Sequence, residues 1–134
     1  MQYKENGTAR VRVYTAGGAL PIANSIVRIT GADEDNRFVE YSVLTDADGL
    51  TKILNLPSPE KSYSLSPNAK EVPYAIYDIE ITADGYYTKR INNVAIFSDV
   101  ETLQEVNMIP LLPIANGSYP RGNLDVTVYE NEYL

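Results

Sequence analysis

YAIYDIEITA, residues 74–83, is the stretch that decides the fold. Tyr77, Ile79 and Ile81 alternate with Asp78, Glu80 and Thr82. A period of two puts the apolar side chains on one face of a strand and the polar ones on the other. Asp84-Gly85 then turns the chain into Tyr86–Ile91, followed by Val94–Phe97. The same alternation recurs on both sides. Ala9, Val11 and Val13 oppose Arg10, Arg12 and Tyr14, Val27 and Ile29 point inward, and Val39, Tyr41 and Val43 oppose Phe38, Glu40 and Ser42. Near the end of this pattern Gln104, Val106 and Met108 oppose Leu103, Glu105 and Asn107.

Turn residues separate these runs. Ala16-Gly17-Gly18 and the acidic Asp33-Glu34-Asp35-Asn36 are two such breaks. Asp46-Ala47-Asp48-Gly49 reads as a hairpin turn with a return strand from Leu50 to about Leu56. Pro57, Pro59, Pro67 and Pro73 punctuate the longest irregular stretch, and proline has no amide to give a central strand. That stretch is expected to cross from one sheet to the other. No segment carries a helical period. About seven short strands with turns every ten or so residues predict a single all-β Greek-key β-sandwich. Its expected extent is residues 1–110, with 111–134 a C-terminal extension carrying one further strand.

Composition narrows the function. The 134 residues are 44% apolar and 22% charged, the balance of one soluble globular domain. The formal net charge of −7 repels phosphate backbones and anionic lipid, so neither nucleic acid nor a membrane surface is an expected partner. No apolar stretch approaches membrane-spanning length, and MQYKENGTAR has no signal-peptide core. The expectation is cytoplasmic synthesis with a spore, cell-surface or particle-associated destination. Without cysteine there are no disulfides from which to read a redox compartment.

Three motifs in order carry a resemblance: Ala19-Leu20-Pro21-Ile22 before a strand, Thr45-Asp46-Ala47-Asp48-Gly49, and Ala83-Asp84-Gly85-Tyr86 closing a strand. Together they resemble the carboxypeptidase regulatory-like, or transthyretin-like, β-sandwich. The runs LTDADGLTKILNLPSP, VPYAIYDIEITADGYYTKRINNVAIF and VNMIPL are similar to the accessory domain at the N-terminus of clostridial spore cortex-lytic and peptidoglycan-binding proteins. The resemblance implies a transthyretin-like topology and an accessory, non-catalytic role. Cortex lysis is not carried over, because the hydrolase of those proteins lies further along the chain.

The residue inventory points the same way. With no His and no Cys, imidazole acid–base catalysis, Ser-His and Cys-His nucleophiles and the usual zinc ligand sets are excluded. Paired carboxylates could cleave a glycosidic bond across a cleft. The acids here instead fall in turns or on the polar face of a strand. Asp46 and Asp48 resemble the opening of a calcium loop, but no distal Glu follows in register. A Lys4–Asn107 isopeptide would need Asp78 or Glu80 buried between them, and alternation puts both on the polar face. No cofactor is expected.

Tyrosine is over-represented, with 11 Tyr against 2 Phe and no Trp. Tyr77 and Tyr86 read as structural, whereas Tyr87, Tyr119, Tyr129 and Tyr133 are interface candidates. Beyond Pro110, Leu124, Val126 and Val128 alternate with Asp125, Thr127 and Tyr129, a strand outside the core pattern. Such a strand pairs with a sheet edge of its own domain or of a neighbour. The expected function is a structural or assembly protein whose contacts are made by sheet edges and this strand, forming a homo-oligomer or filament. The alternative is an accessory module that binds cell-wall glycan or regulates a separate peptidoglycan hydrolase.

Overall fold

The computed structural model describes residues 3–60, 73–111 and 126–128. The described residues form nine strands: β1 (Glu5–Thr15), β2 (Leu20–Pro21), β3 (Ile26–Gly31), β4 (Glu40–Leu44), β5 (Leu54–Ser58), β6 (Ala75–Thr82), β7 (Lys89–Ile96), β8 (Glu101–Asn107) and β9 (Val126–Val128). They make two sheets. In the first, β1 is flanked by antiparallel β5 and β2 on one side and by parallel β8 on the other. The second runs β4-β3-β6-β7-β9, antiparallel except for the last pair. The chain is an all-β sandwich.

Between the sheets lies one core. Ala9, Val11 and Val13 of β1, with Leu54, Leu56, Val106 and Met108, face Val27, Ile29, Tyr77, Ile79, Ile81, Ile91, Val94 and Ile96. Each fully buried aliphatic side chain of this kind contributes about 1.5–3 kcal/mol. Tyr77 is wholly buried on β6, and its hydroxyl donates to the carbonyl of Pro57 on β5 at 2.6 Å. That bond ties the sheets together and satisfies a phenol that burial would otherwise strand. Tyr86 packs against the core edge and bridges to Pro110, as a structural residue should.

The inward sets of β1, β3, β6 and β8 match the alternation in sequence, but the connections differ from it in three places. Asp46–Gly49 is a tight turn with Gly49 at φ 76, yet β4 and β5 belong to different sheets. Leu50 bridges Arg12, and the amide of Thr51 donates to Val11, so the turn is a corner between sheets rather than a hairpin. Pro57 lies inside β5, opposite Asn6, so that strand outlasts the expected start of the crossing. Tyr86–Ile91 and Val94–Phe97 are not two strands. Lys89–Ile96 is one strand with an irregularity at Asn93, whose φ is 63 and whose amide donates to Asp78 Oδ1.

The chain crosses from the second sheet to the first between Ile96 and Glu101, and space there is tight. A side chain at Gly7 would run into the Phe97 carbonyl and the Ile96 side chain. The expected outcome for Gly7→Ala is a loss of about 1–3 kcal/mol in urea unfolding with the fold retained, as for other over-packed sites.

Candidate functional site

The carboxylates of Asp33 and Asp46 have structural occupations. Asp33 Oδ2 accepts from the Tyr3 hydroxyl at 2.8 Å and from the Ile76 amide at 2.9 Å, while Oδ1 accepts from the Asp35 amide. Asn36, fully buried, accepts from the Asp33 amide and donates to the Ile76 carbonyl. The acidic turn is therefore a clamp between the β3–β4 connection and the start of β6, not simply a solvated loop. Gly31 permits it, since a Cβ there would overlap Asn36. Asp46 Oδ1 accepts from the amides of Asp48 and Leu50, holding the corner turn. Among the described residues no cluster of acids is arranged as a metal site.

On the outer face of the second sheet, Glu40, Arg28, Glu80 and Arg90 run across four strands. Arg28 Nε meets Glu40 at 2.9 Å, and Arg90 Nε meets Glu80 at 2.7 Å. Exposed pairs of this kind contribute little stability, but they set cross-strand register. The isopeptide is excluded by geometry. Asn107 lies opposite Tyr14, whereas Lys4 precedes β1, about ten residues or ~33 Å away at the usual strand rise. Lys4 lies 3.8 Å from Glu60 instead.

What is open is backbone. The amides of Gly31 and Thr45 donate to Val39 and Ser25, so the odd-numbered residues of β4 face β3. By alternation the amides of Ser42 and Leu44 point away from the sheet. The Met108 amide donates to Tyr14 in β1, so those of Leu103 and Glu105 likewise point outward. Among the described residues β4 has only β3 beside it, and β8 has only β1. Large apolar side chains are exposed along both: Phe38 (76%), Leu44 (58%) and Ile26 near β4, and Leu103 (49%) and Val100 at β8.

Of the interface candidates, Tyr87 is half-buried and its amide donates to the Ile109 carbonyl, joining the exit of β8 to the β6–β7 turn. Val126 and Val128 lie in β9, in parallel register with Lys89 and Ile91 of the same chain. The described part of this strand, Val126–Val128, thus pairs with β7 within the chain. Tyr119, Leu124, Tyr129 and Tyr133 lie outside the described residues. Sheet edges are expected to make the contacts, but which strands form them is not legible in the sequence, because an edge is defined by which strands pair, a non-local fact. Exposed Phe38 and Leu44, out of phase with Val39 and Val43, were the available signal.

No family model matches the chain, and no curated protein sequence matches it. It is similar in structure to 3-chlorocatechol 1,2-dioxygenase from Rhodococcus opacus 1CP, with TM-score 0.55 and 14% identity over 82% of this chain and 62% of that one. It is also similar to the TIE protein of Bacillus anthracis, with TM-score 0.52 and 12% identity over 81% of this chain. A third likeness is to catechol 1,2-dioxygenase from Acinetobacter sp. ADP1, with TM-score 0.52 and 15% identity over 91% of this chain. The chain spans 17% of the TIE protein and 58% of the Acinetobacter enzyme. Identities this low establish a shared β-rich sandwich fold and nothing of activity.

Two measurements test the clamp and the inter-sheet tether. Asn36→Ala leaves the Asp33 amide without its acceptor and is expected to cost about 1–3 kcal/mol in denaturant unfolding. Burial pushes the Tyr77 phenol above its ordinary range, and burial with the Asp33 carboxylate does the same to Tyr3. The folded state therefore holds these protons more tightly than the unfolded chain. The stability they support is complete below the ordinary tyrosine range near pH 10 and falls as pH rises beyond it. Tyr77→Phe is expected to lower neutral-pH stability by about 1 kcal/mol and to make that alkaline decline shallower.

Proposed function

We propose that this chain is a non-catalytic structural or assembly domain of the transthyretin-like type, making protein–protein contacts through its open sheet edges. The observation that carries the reading is the β4 edge, with outward amides at Ser42 and Leu44 and exposed Phe38, Leu44 and Ile26 beside them. Native sandwiches ordinarily blunt such edges, and one left open with apolar neighbours suits strand pairing. A twofold pairing of β4 with β4 about Ser42 sets Glu40 against Leu44 and opposes no like charges. That is the isologous geometry of a closed dimer. With β9 engaged on β7 in the same chain, the reading assigns subunit contacts to β4 rather than to a donated C-terminal strand.

The family reading is supported by the work its three motifs do. Leu20-Pro21 forms the short β2 against Tyr14 and Thr15, Thr45–Gly49 makes the corner between sheets, and Gly85 takes φ 85 in the turn ending β6. The non-catalytic reading is supported by carboxylates held in turns at Asp33 and Asp46 and in ion pairs at Glu40 and Glu80.

Sedimentation of the protein from micromolar to millimolar concentration tests this. The expected result is reversible dimerisation that Ser42→Pro abolishes, since proline at that position removes only an outward donor. Leu44→Lys, which leaves the backbone untouched, should weaken it as well. A wild type that stays monomeric throughout, or a dimer indifferent to both substitutions, overturns the proposal.

A further inference from the structure

The second open edge differs from β4 in charge, and the difference specifies a different occupant. On the outer face of β8, Glu101, Leu103 and Glu105 stand in alternation, all three exposed. Two copies of β8 paired antiparallel about Leu103 would set Glu101 against Glu105 twice, a destabilising arrangement of like charges. The start of β8 also borders an open recess lined by Glu5, Asn6, Thr8, Asn55, Asp99 and Glu101. Of the nearby cations, Arg12 offsets the charge at the Glu105 end, so the acidity is concentrated at Glu101 and the recess. Arg10 Nε is committed to the Thr51 carbonyl at 2.7 Å, and Arg12, stacked over Tyr14, lies 3.7 Å from Glu105 at the other end.

The backbone along the same stretch is ready to accept a strand. Lys89 Nζ covers the Asn107 carbonyl at 2.8 Å and closes the far end of the edge. The outward amides of Leu103 and Glu105 and the Leu103 carbonyl lie between that end and the acidic recess. We infer that the Glu101–Glu105 edge of β8 binds an extended, basic segment of a partner protein, which adds as a strand with a cation, an apolar residue and a cation at alternate positions. One cation meets Glu101, the other shares Glu105 with Arg12, and the apolar residue covers Leu103. Main-chain bonds supply affinity and the alternating side chains supply selectivity. The inference rests on the edge-pairing reading above, but concerns the other sheet and a partner that is not a second copy.

The probe is a synthetic peptide, acetyl-Thr-Lys-Thr-Val-Thr-Lys-Thr-amide, titrated into the isotopically labelled full chain. Two control peptides accompany it, one with Glu replacing Lys and one N-methylated at alternate residues. The expected result is amide shifts centred on residues 101–105 with the Lys peptide, and binding at least about tenfold weaker for either control. Glu101→Lys should also weaken binding about tenfold, and added salt should weaken it progressively. The inference is overturned by no shifts at millimolar peptide, by shifts centred elsewhere, or by equal binding of the N-methylated or Glu peptide. Loss of peptide binding with concentration-dependent dimerisation intact removes this inference alone. Loss of dimerisation with peptide binding intact removes only the β4 contact.

Discussion

Everything in this sandwich hangs on β1. Among the described residues it is the only strand of the first sheet with neighbours on both sides, and it uses both. Its even residues from Thr8 to Tyr14 face β8, while Ala9, Val11 and Val13 turn their backbone toward β5 and the Thr51 segment. The side chains of those same odd residues form the floor of the core. A strand committed in three directions cannot shift register by one residue without exposing Val11 and Val13 and burying Arg10 and Arg12. The other elements take their places from that fixed line. The crossing past Phe97 is set by Gly7, the sheet-to-sheet corner by the Thr51 contacts, and the end of β8 by Thr15, whose hydroxyl donates to the Met108 carbonyl.

The opposite sheet is joined to this line by a few specific bonds as well as by apolar contact. Tyr77 reaches Pro57 across the core, and Lys89 reaches Asn107 at the margin. At one end, Ile109–Leu111 pairs with Gly85–Tyr87 through the amides of Tyr87 and Leu111. Among the described residues the sandwich is thus sealed where β7 and β8 adjoin, and open at β4 and along the first half of β8. The proposed contact function rests on that asymmetry. A sheet edge is a set of hydrogen-bonding groups already held in extended geometry, so a partner strand bears most of the ordering entropy alone.

Much of this was legible in the sequence because burial in a sandwich has a period of two. The inward residues of β1, β6 and β8 could be named one by one from alternation. Less legible was which strands pair. Asp46 caps its turn with the same local bonds whether the next strand returns beside β4 or departs for the other sheet. Only Leu54 and Leu56, packing under β1, decide between them. The bulge in β7 left a readable trace, since Ile91, Val94 and Ile96 are all buried yet separated by three and then two residues. Asn36 left none. An asparagine in an acidic turn looks solvated, and its burial depends on Gly31 and Ile76, which lie close only after folding.

Native-state hydrogen exchange, read residue by residue in dilute solution, tests the central claim that the described strands of the two sheets leave the outer edges of β4 and β8 uncovered. The slowest exchange is expected at Val11, Val13 and Val106, whose amides point into the first sheet, with fast exchange at Ser42, Leu103 and Glu105. Within β8, neighbouring residues should then alternate between protected and unprotected. Protection at Leu103 and Glu105 equal to that at Gln104 and Val106 would mean that the edge is already covered, and would contradict the account.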